Sequence, residues 1–215
     1  MSGTQEALLL TGSPRKDGVT AQMARVFSTL WLQTAAGRRI TEINAYDAGI
    51  KPCIHCGHCK TTPSCIYNDF EQIDAALRRA AILVIASPVY GLSFPAPLKA
   101  IFDRLQRYFE EKFVLGNPAP LPRHKPALFL SACGSNDRRG FAIMTEQLDL
   151  SFRLMNATRI YSVTAANTDK KNTYASAFNV QGCITFIQRG LKNGMDISIP
   201  ELAKMLVHFT REVKK

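Results

Sequence analysis

The fold is decided by the stretch Glu6-Ala-Leu-Leu-Leu-Thr11-Gly12-Ser13-Pro14-Arg15-Lys16-Asp17-Gly18-Val19-Thr20. Its apolar start breaks at a Gly-Ser-Pro turn, which predicts a strand buried on both faces. From Val19 onward, apolar residues recur every three to four positions, which predicts a helix that packs one face on a sheet. The stretch is therefore typical of one strand, loop and helix unit of an α/β fold.

The same order of strand, loop and helix repeats along the rest of the chain. Further strands are predicted at 40–43, 81–86, 127–131 and 158–163, and further helices from about residue 69, at 96–109, at 141–154 and from Pro200. Strands that alternate with helices in this way need long crossover connections, and therefore predict a parallel sheet with helices on both faces. Residues 1–215 are expected to form a single domain, with a Cys-rich loop at 53–65 and an insertion or loop at about 166–194.

The composition indicates a folded protein with a basic surface. The 13 Gly and 11 Pro in 215 residues are ordinary for a globular domain. The longest apolar run, 80–86, is far shorter than the ~20 residues of a membrane span, and no secretion signal precedes the first strand, so we expect a cytoplasmic protein without a membrane segment. The net charge of +10 favours acidic or phosphorylated partners. The basic residues occur in scattered pairs rather than runs, which argues against nucleic acid as a partner.

The loop after the first strand has the residues of an anion site. Ligands of a parallel sheet bind beyond the carboxyl ends of the strands, and this loop leads directly into a helix N-terminus, whose free N–H groups and dipole attract an anion. Ser13 and Thr20 add hydroxyl donors, and Arg15 adds a charged fork suited to phosphate. The P-loop and dinucleotide-fold glycine motifs are both missing from the sequence here. Ordinary turn chemistry of Gly and Pro is the alternative interpretation.

The loop after the third strand is rigid and aromatic. It runs Ser87-Pro-Val-Tyr90-Gly-Leu-Ser-Phe-Pro95 and presents a ring and backbone amides above the sheet. Such a loop suits a flat heterocyclic ligand. Taken alone, it also fits a stiff connection in which Tyr90 is half-buried.

These two loops, followed by Pro97-Leu-Lys99 and Phe102-Asp-Arg104, resemble the NADPH-dependent FMN reductase family over roughly residues 6–165. The resemblance implies a flavodoxin-like three-layer sandwich with a five-stranded parallel sheet. It also implies an FMN phosphate site and two walls for the isoalloxazine ring. The phosphate would be held by Ser13, Arg15, Gly18, Thr20 and the backbone of Val19, the ring would be lined by Pro88, Val89, Tyr90, Gly91 and Ser93, and its other edge would be closed by Cys133, Gly134 and Ser135.

The function implied by the resemblance is that of an FMN-dependent oxidoreductase. NADH or NADPH would pass a hydride to the flavin, which would reduce a second acceptor, either a small molecule or a protein, without a catalytic side chain. Backbone donors near Cys133 to Ser135 are expected to stabilise the reduced flavin. A homodimer or homotetramer is expected by analogy, with 110–122 and 166–194 as candidates for covering a neighbour's site.

Four cysteines crowd into thirteen residues with the spacing Cys53-x2-Cys56-x2-Cys59-x5-Cys65. Four thiolates in one loop would repel one another unless a metal centre took up their charge. The spacing resembles that of iron–sulfur flavoproteins, which implies a [4Fe–4S] cluster and electron transfer with a partner such as an acidic ferredoxin. Unmetallated thiols and zinc stay open as alternatives. His55 and His58 are expected to be solvated.

One alternative comes from another class of protein. In it, the Cys loop holds zinc and the basic surface binds nucleic acid, so the protein would be colourless and its binding would depend strongly on salt. This hypothesis leaves the loops at 12–20 and 87–90 without a role. Hydrolase chemistry is disfavoured because the sequence contains no Gly-x-Ser-x-Gly motif.

Overall fold

A computed structural model of the protein describes residues 5–33 and 36–169. The predicted helix from Pro200 and most of the predicted insertion at 166–194 lie outside these residues, and the expectation of a single domain over 1–215 stays a prediction.

The described residues form a five-stranded sheet in which every pair of neighbouring strands is parallel. The strands are β1 (Glu6–Thr11), β2 (Arg39–Asn44), β3 (Ile82–Pro88), β4 (Lys125–Ala132) and β5 (Ala157–Ala165), in the spatial order β2-β1-β3-β4-β5. The predicted parallel sheet is therefore confirmed. The chain leaves β1 for one edge of the sheet and returns beside β1 as β3, so the loops after these two strands diverge and open a crevice.

Helices cover both faces of the sheet. They are α1 (Val19–Gln33), α2 (Glu71–Arg79), α3 (Ala96–Asp103), α4 (Gln106–Phe113) and α5 (Arg139–Leu154), with short 3₁₀ turns at His58–Lys60 and Asn68–Phe70. Alternate residues of β1 point to opposite faces. Leu9 packs with α1, whereas Leu8 and Leu10 pack with α2, α3 and α5. Two separate apolar cores, one on each face, confirm the predicted three-layer sandwich.

One predicted helix is divided in the structure. Residues 96–109 were expected to form one helix, but α3 ends at Asp103 and α4 begins at Gln106. At the break, the N–H groups of Leu105 and Tyr108 donate to the carbonyls of Phe102 and Leu105, which tightens the chain to i→i−3 spacing. The turn also directs the buried Arg104 side chain towards the loop that precedes α2, where it donates to the Lys51 carbonyl.

None of the helices in residues 5–33 and 36–169 combines the length and the apolar character needed to cross a membrane.

Candidate functional site

The loops after β1, β3 and β4 meet around a cleft of about 200 Å³ at the carboxyl edge of the sheet. Its described lining residues are Ser13, Arg15, Gly18, Val19, Thr20, Pro88, Val89, Tyr90, Ala132, Gly134, Thr168 and Asp169. The three loops that the sequence singled out are thus brought together. Four other predicted residues, Gly91, Ser93, Cys133 and Ser135, lie beside this lining rather than in it.

The loop after β1 forms a cradle at one end of the cleft. The Gly12 N–H donates to the Ala86 carbonyl at the end of β3 (2.8 Å), which ties the two sides of the crevice together. The buried Ser13 hydroxyl accepts a hydrogen bond from the Arg15 N–H (3.2 Å). Beyond this turn α1 begins at Val19, and the first-turn N–H groups of an α-helix have no acceptor within the helix. Exposed Arg15 and the helix dipole therefore supply positive charge at one place.

Asn44, at the end of β2, holds this cradle in position. Its amide nitrogen donates to the Ser13 carbonyl (3.1 Å), and its amide oxygen accepts from the Tyr46 N–H (3.0 Å). Asn44 was not among the predicted site residues, although a polar amide at the end of a strand next to β1 is a signal for such a role.

A larger groove of about 680 Å³ opens on the β2 side of the same loop. It shares Ser13, Arg15 and Thr20 with the smaller cleft. The anion cradle can therefore be reached from two sides. Only the smaller cleft also contains the aromatic loop after β3, so it is the better candidate for a flat ring attached to an anion.

The loop after β3 is shaped by a two-residue turn. Tyr90 and Ser93 exchange two backbone hydrogen bonds of 2.9 Å, and Gly91 and Leu92 both have positive φ angles (55° and 64°). Such a turn favours glycine. The Ser93 hydroxyl donates to Gln147 of α5 (3.3 Å), which anchors the turn, and the turn presents Tyr90, a residue that is 43% exposed. Gly91 and Ser93 therefore position Tyr90, and their contact with the isoalloxazine stays a prediction.

The loop after β4 is held by the residues that follow β5. The Cys133 side chain is buried against Val89, Phe141 and Ala166, and its backbone N–H donates to Ala165 (2.8 Å). The thiol is thus part of a small apolar core, and this N–H is already used within the sheet. Of the backbone donors expected to face the ring here, those of Gly134 and Ser135 are the ones that stay candidates.

Thr168 and Asp169 line the cleft but were not identified from the sequence. The N–H and hydroxyl of Thr168 both donate to the Cys133 carbonyl (3.1 Å each). The Asp169 N–H donates to the Gly134 carbonyl (3.2 Å), and its carboxylate packs so closely on Gly134 that a Cβ there would collide with it. The start of the predicted insertion therefore completes the cleft of its own chain.

The four clustered cysteines line a third, much smaller pocket of about 30 Å³. The loop that carries them turns sharply where His55 and Gly57 have positive φ angles of 52° and 79°. All four thiols line the pocket, which also contains side chains from the α3–α4 break and α4. The His58 ring lies within hydrogen-bond distance of the Thr62 and Ser64 hydroxyls (2.9 and 3.2 Å). His55 is exposed and His58 is partly exposed, and the two hydroxyls orient the His58 ring.

The thiols are close enough to influence one another. Burial raises the pKa of the Cys59 thiol, and the nearby charges of Glu110, Cys53 and Cys65 raise it further. Among residues 5–33 and 36–169, however, no three His, Cys, Asp or Glu side chains are arranged as ligands of a metal ion. The thiols are gathered around one pocket without converging on one point.

Two arginines form the inner wall of the cysteine pocket. Arg104 and Arg107 are only 2% and 5% exposed, and both line the pocket. Arg104 donates to the Lys51 carbonyl (3.0 Å) and Arg107 to the Pro63 carbonyl (3.1 Å). One arginine therefore binds the backbone before the first cysteine, and the other binds it just before the last.

The same two side chains carry donors that have no acceptor. Their terminal nitrogens pair with Asp69 (2.9 Å) and Glu71 (3.1 Å). The Nε atom of each is buried and has no hydrogen-bond partner. Four thiols and two unsatisfied N–H donors around one pocket fit an anionic, sulfur-ligated centre such as an iron–sulfur cluster, which the four cysteines would hold.

A doubly wound parallel sheet with an anion cradle and an aromatic loop at its crevice defines a flavodoxin-like protein. The chain belongs to the NADPH-dependent FMN reductase family, whose family model matches residues 6–171. This match confirms the resemblance carried by the loops at 12–20 and 87–90.

Curated relatives carry the name iron–sulfur flavoprotein. The one from Methanosarcina thermophila is 29% identical over 109 residues, which are 50% of this chain and 56% of the relative. The one from Methanocaldococcus jannaschii is 32% identical over 96 residues, which are 44% of this chain and 49% of the relative. The chain thus spans about half the length of the curated relatives it matches.

Solved structures share the fold. An NAD(P)H:quinone oxidoreductase from Methanothermobacter marburgensis superposes with a TM-score of 0.65 at 15% identity, over 89% of this chain and 96% of the other. An FMN-dependent NADH-azoreductase from Bacillus anthracis, in complex with FMN, gives 0.58 at 15% identity, over 88% and 99%. Both confirm the flavodoxin-like architecture.

Proposed function

We propose that this protein is an FMN-dependent oxidoreductase that takes electrons from NADH or NADPH and passes them to a second acceptor. The observation that carries the proposal is that the β1 and β3 loops, far apart in sequence, form two walls of one cleft at the crevice of the sheet. An anion cradle at one end and an exposed ring at the other match the two ends of FMN. Membership of the FMN reductase family supports the same chemistry.

The chain's own residues bind and orient the cofactor. When bound, FMN supplies the chemistry of accepting a hydride and releasing two electrons. Arg15 and the first-turn amides of α1 would neutralise its phosphate, with Ser13 and Thr20 as hydroxyl donors. Pro88 and Tyr90 would form one wall for the ring.

The opposite edge of the cleft carries a carboxylate. Asp169 lies against Gly134, and both residues line the cleft, with the backbone amides of Gly134 and Ser135 as candidate donors next to it. A carboxylate accepts hydrogen bonds from ring N–H groups, whereas the amides donate to ring carbonyl oxygens. This edge therefore offers both kinds of partner to a heterocycle that carries donors and acceptors.

Removal of the positive charge at the cradle tests the flavin site. In Arg15→Gln we expect FMN affinity to fall about 10- to 100-fold, because a hydrogen bond to a charged group is worth about 1.5–3 kcal/mol. Riboflavin lacks the phosphate, so its affinity should not change. Arg79→Gln removes the same charge from an exposed ion pair with Glu6 and is the matched control. Fluorescence titration of the apoproteins with FMN and with riboflavin measures these affinities for the wild type and both variants.

Three results would contradict the proposal. The first is a wild-type protein that is colourless and does not bind added FMN. The second is an Arg15→Gln variant whose affinities for riboflavin and FMN fall equally. The third is a bound flavin whose absorption is not bleached by NADH or NADPH under anaerobic conditions.

A second candidate function, electron transfer through an iron–sulfur cluster, is favoured by the four thiols around one pocket. The names of the curated relatives support it. When bound, a cluster supplies one-electron chemistry, and Cys53, Cys56, Cys59 and Cys65 would be its ligands. Anaerobically purified protein should then contain about four iron and four sulfide per chain, as a cubane held by four thiolates requires. Protein that contains flavin but no iron would support the FMN reductase function without a cluster. Protein that contains zinc would support the alternative in which the cysteine loop holds a zinc ion.

The partners belong to the same proposal. An acidic electron carrier such as a ferredoxin suits a chain of net charge +10. Assembly as a homodimer or homotetramer is proposed by analogy with the family. A cytoplasmic location is supported by the five described cysteines, which are all unpaired, as in a reducing compartment.

A further inference from the structure

The buried Arg104 and Arg107 side chains carry an inference that rests on the proposed iron–sulfur cluster and goes beyond its four ligands. Arg104 lies in the break between α3 and α4, Arg107 is the second residue of α4, and both line the pocket that the cysteines line. Residues three positions apart lie on the same side of a helix, so both arginines can lie under one loop. Their contacts with the cysteine loop are tertiary, so periodicity alone could not reveal them.

The hydrogen bonds of these arginines divide into two groups. The terminal nitrogens are used by Asp69, Glu71 and two backbone carbonyls, that of Lys51 before the cysteine loop and that of Pro63 within it. These contacts hold the loop and neutralise much of the guanidinium charge. The inner N–H of each arginine, at Nε, is left without an acceptor although it is buried.

A buried N–H without a partner is costly, and native proteins rarely leave one unsatisfied. Two of them on side chains that line one pocket therefore indicate an acceptor inside that pocket. Besides the four cysteines, the pocket lining contains His55, His58, Tyr67, Gln106 and Glu110. The Glu110 carboxylate accepts from Gln106 (2.8 Å), and the His58 ring lies against the Thr62 and Ser64 hydroxyls. The four sulfur atoms are the most numerous acceptors of the lining, and a bound centre would add its own sulfur atoms to them.

We propose that Arg104 and Arg107 are positioning residues that donate their Nε–H groups to sulfur atoms of the cluster and so raise its reduction potential. Each electron that enters the centre adds one negative charge. N–H donors directed at sulfur stabilise that added charge, which makes reduction easier. Because Asp69 and Glu71 balance the guanidinium groups, the effect comes from the direction of the two N–H donors more than from net charge.

Substitution of either arginine by lysine separates the effect of the Nε–H donor from the effect of the positive charge. Lysine keeps the positive charge but places a methylene group where Nε stood, so Arg107→Lys deletes the proposed bond without deleting the charge. We expect the midpoint potential of the iron-loaded variant to fall by about 59 mV, which is a tenfold change in a one-electron equilibrium. Arg104→Lys should shift it in the same direction.

Arg78→Lys is the matched control. Arg78 belongs to the same ion network through Asp74 (2.8 Å) but is not part of the pocket lining. Its exchange should leave the potential unchanged. An EPR-monitored redox titration, with iron and sulfide counted in each sample, measures all four proteins.

A measurement on the wild-type protein keeps the inference testable if a variant does not assemble the cluster. Protein labelled with ¹⁵N only in arginine should show a ¹⁵N hyperfine coupling in the pulsed EPR spectrum of the reduced cluster. Unchanged potentials in fully iron-loaded variants, or no coupling in the labelled protein, would overturn the inference and leave the cluster in place. Wild-type protein that assembles no cluster would overturn the second candidate function together with this inference.

Discussion

At the scale of single residues, Gly12 determines how closely the anion cradle lies against α3. A Cβ atom at this position would lie 2.7 Å from Leu98 Cδ2, which is closer than packed atoms tolerate. Leu98 is fully buried in the core below the cleft, so it has little room to move. Gly12 also donates a hydrogen bond to the Ala86 carbonyl of β3 (2.8 Å). Because Gly12 has no side chain, the loop after β1 can lie directly against Leu98 of α3 at the crevice.

Substitution of Gly12 tests this connection. Gly12→Ala should lower the free energy of unfolding by about 1–3 kcal/mol through overpacking and should weaken FMN binding. Leu98→Ala alone leaves a cavity that costs about 2–5 kcal/mol. In the double variant the new methyl group enters space that Leu98 vacated, so the combined cost should be smaller than the sum of the two. Urea denaturation of the four proteins gives the coupling, and strict additivity would contradict the proposed contact.

At the scale of secondary-structure elements, the sheet was predictable and the α3–α4 break was not. The central strands β1, β3 and β4 each contain a short apolar run, and such runs are local signals. The apolar positions Leu98, Ile101 and Leu105 keep helical spacing through the break, so periodicity alone indicates one helix. The break is stabilised by contacts of Arg104 with Lys51 and Asp69, residues far away in sequence. No local pattern contains that information.

The same distinction explains which parts of the site were found. The loops after β1 and β3 were identified because carboxyl ends of parallel strands meet at one edge of the sheet, which is a general rule. Thr168 and Asp169 were missed because their place depends on hydrogen bonds to the loop after β4. The cysteine loop was recognised by spacing, whereas its arginine wall needed the tertiary structure.

At the scale of the whole molecule, the excess of positive charge is mostly a surface property, and Lys125 is an exception. Its side chain is fully buried at the start of β4. The ammonium group donates to the carbonyls of Arg123 (2.8 Å) and Met155 (3.1 Å). These bonds join β4 to the turn between α5 and β5, at the end of the sheet opposite the cleft. Burial, together with the nearby charge of Arg123, lowers the pKa of Lys125 to about 8.

This burial predicts a stability that increases with pH in the alkaline range. Lys125 in the unfolded chain keeps its proton up to about pH 10.5, whereas in the folded protein it loses the proton near pH 8. Between these values the unfolded state binds more protons, so a rise in pH favours the folded state, by at most about 1.4 kcal/mol per pH unit. The penalty for burying the charged group is fully present below pH 8 and disappears as pH rises through this window.

Lys125→Met keeps the length of the side chain and removes the titrating group. All pH dependence that comes from Lys125, including that of its hydrogen bonds, is absent from the variant, and the repulsion of the basic surface is almost the same in both proteins. The difference in unfolding free energy between wild type and variant should therefore increase steadily from pH 7.5 to pH 10 in urea denaturation. FMN affinity should not change, because Lys125 lies at the other end of the sheet. A difference that stays constant with pH would mean that Lys125 is charged in the folded protein throughout this range.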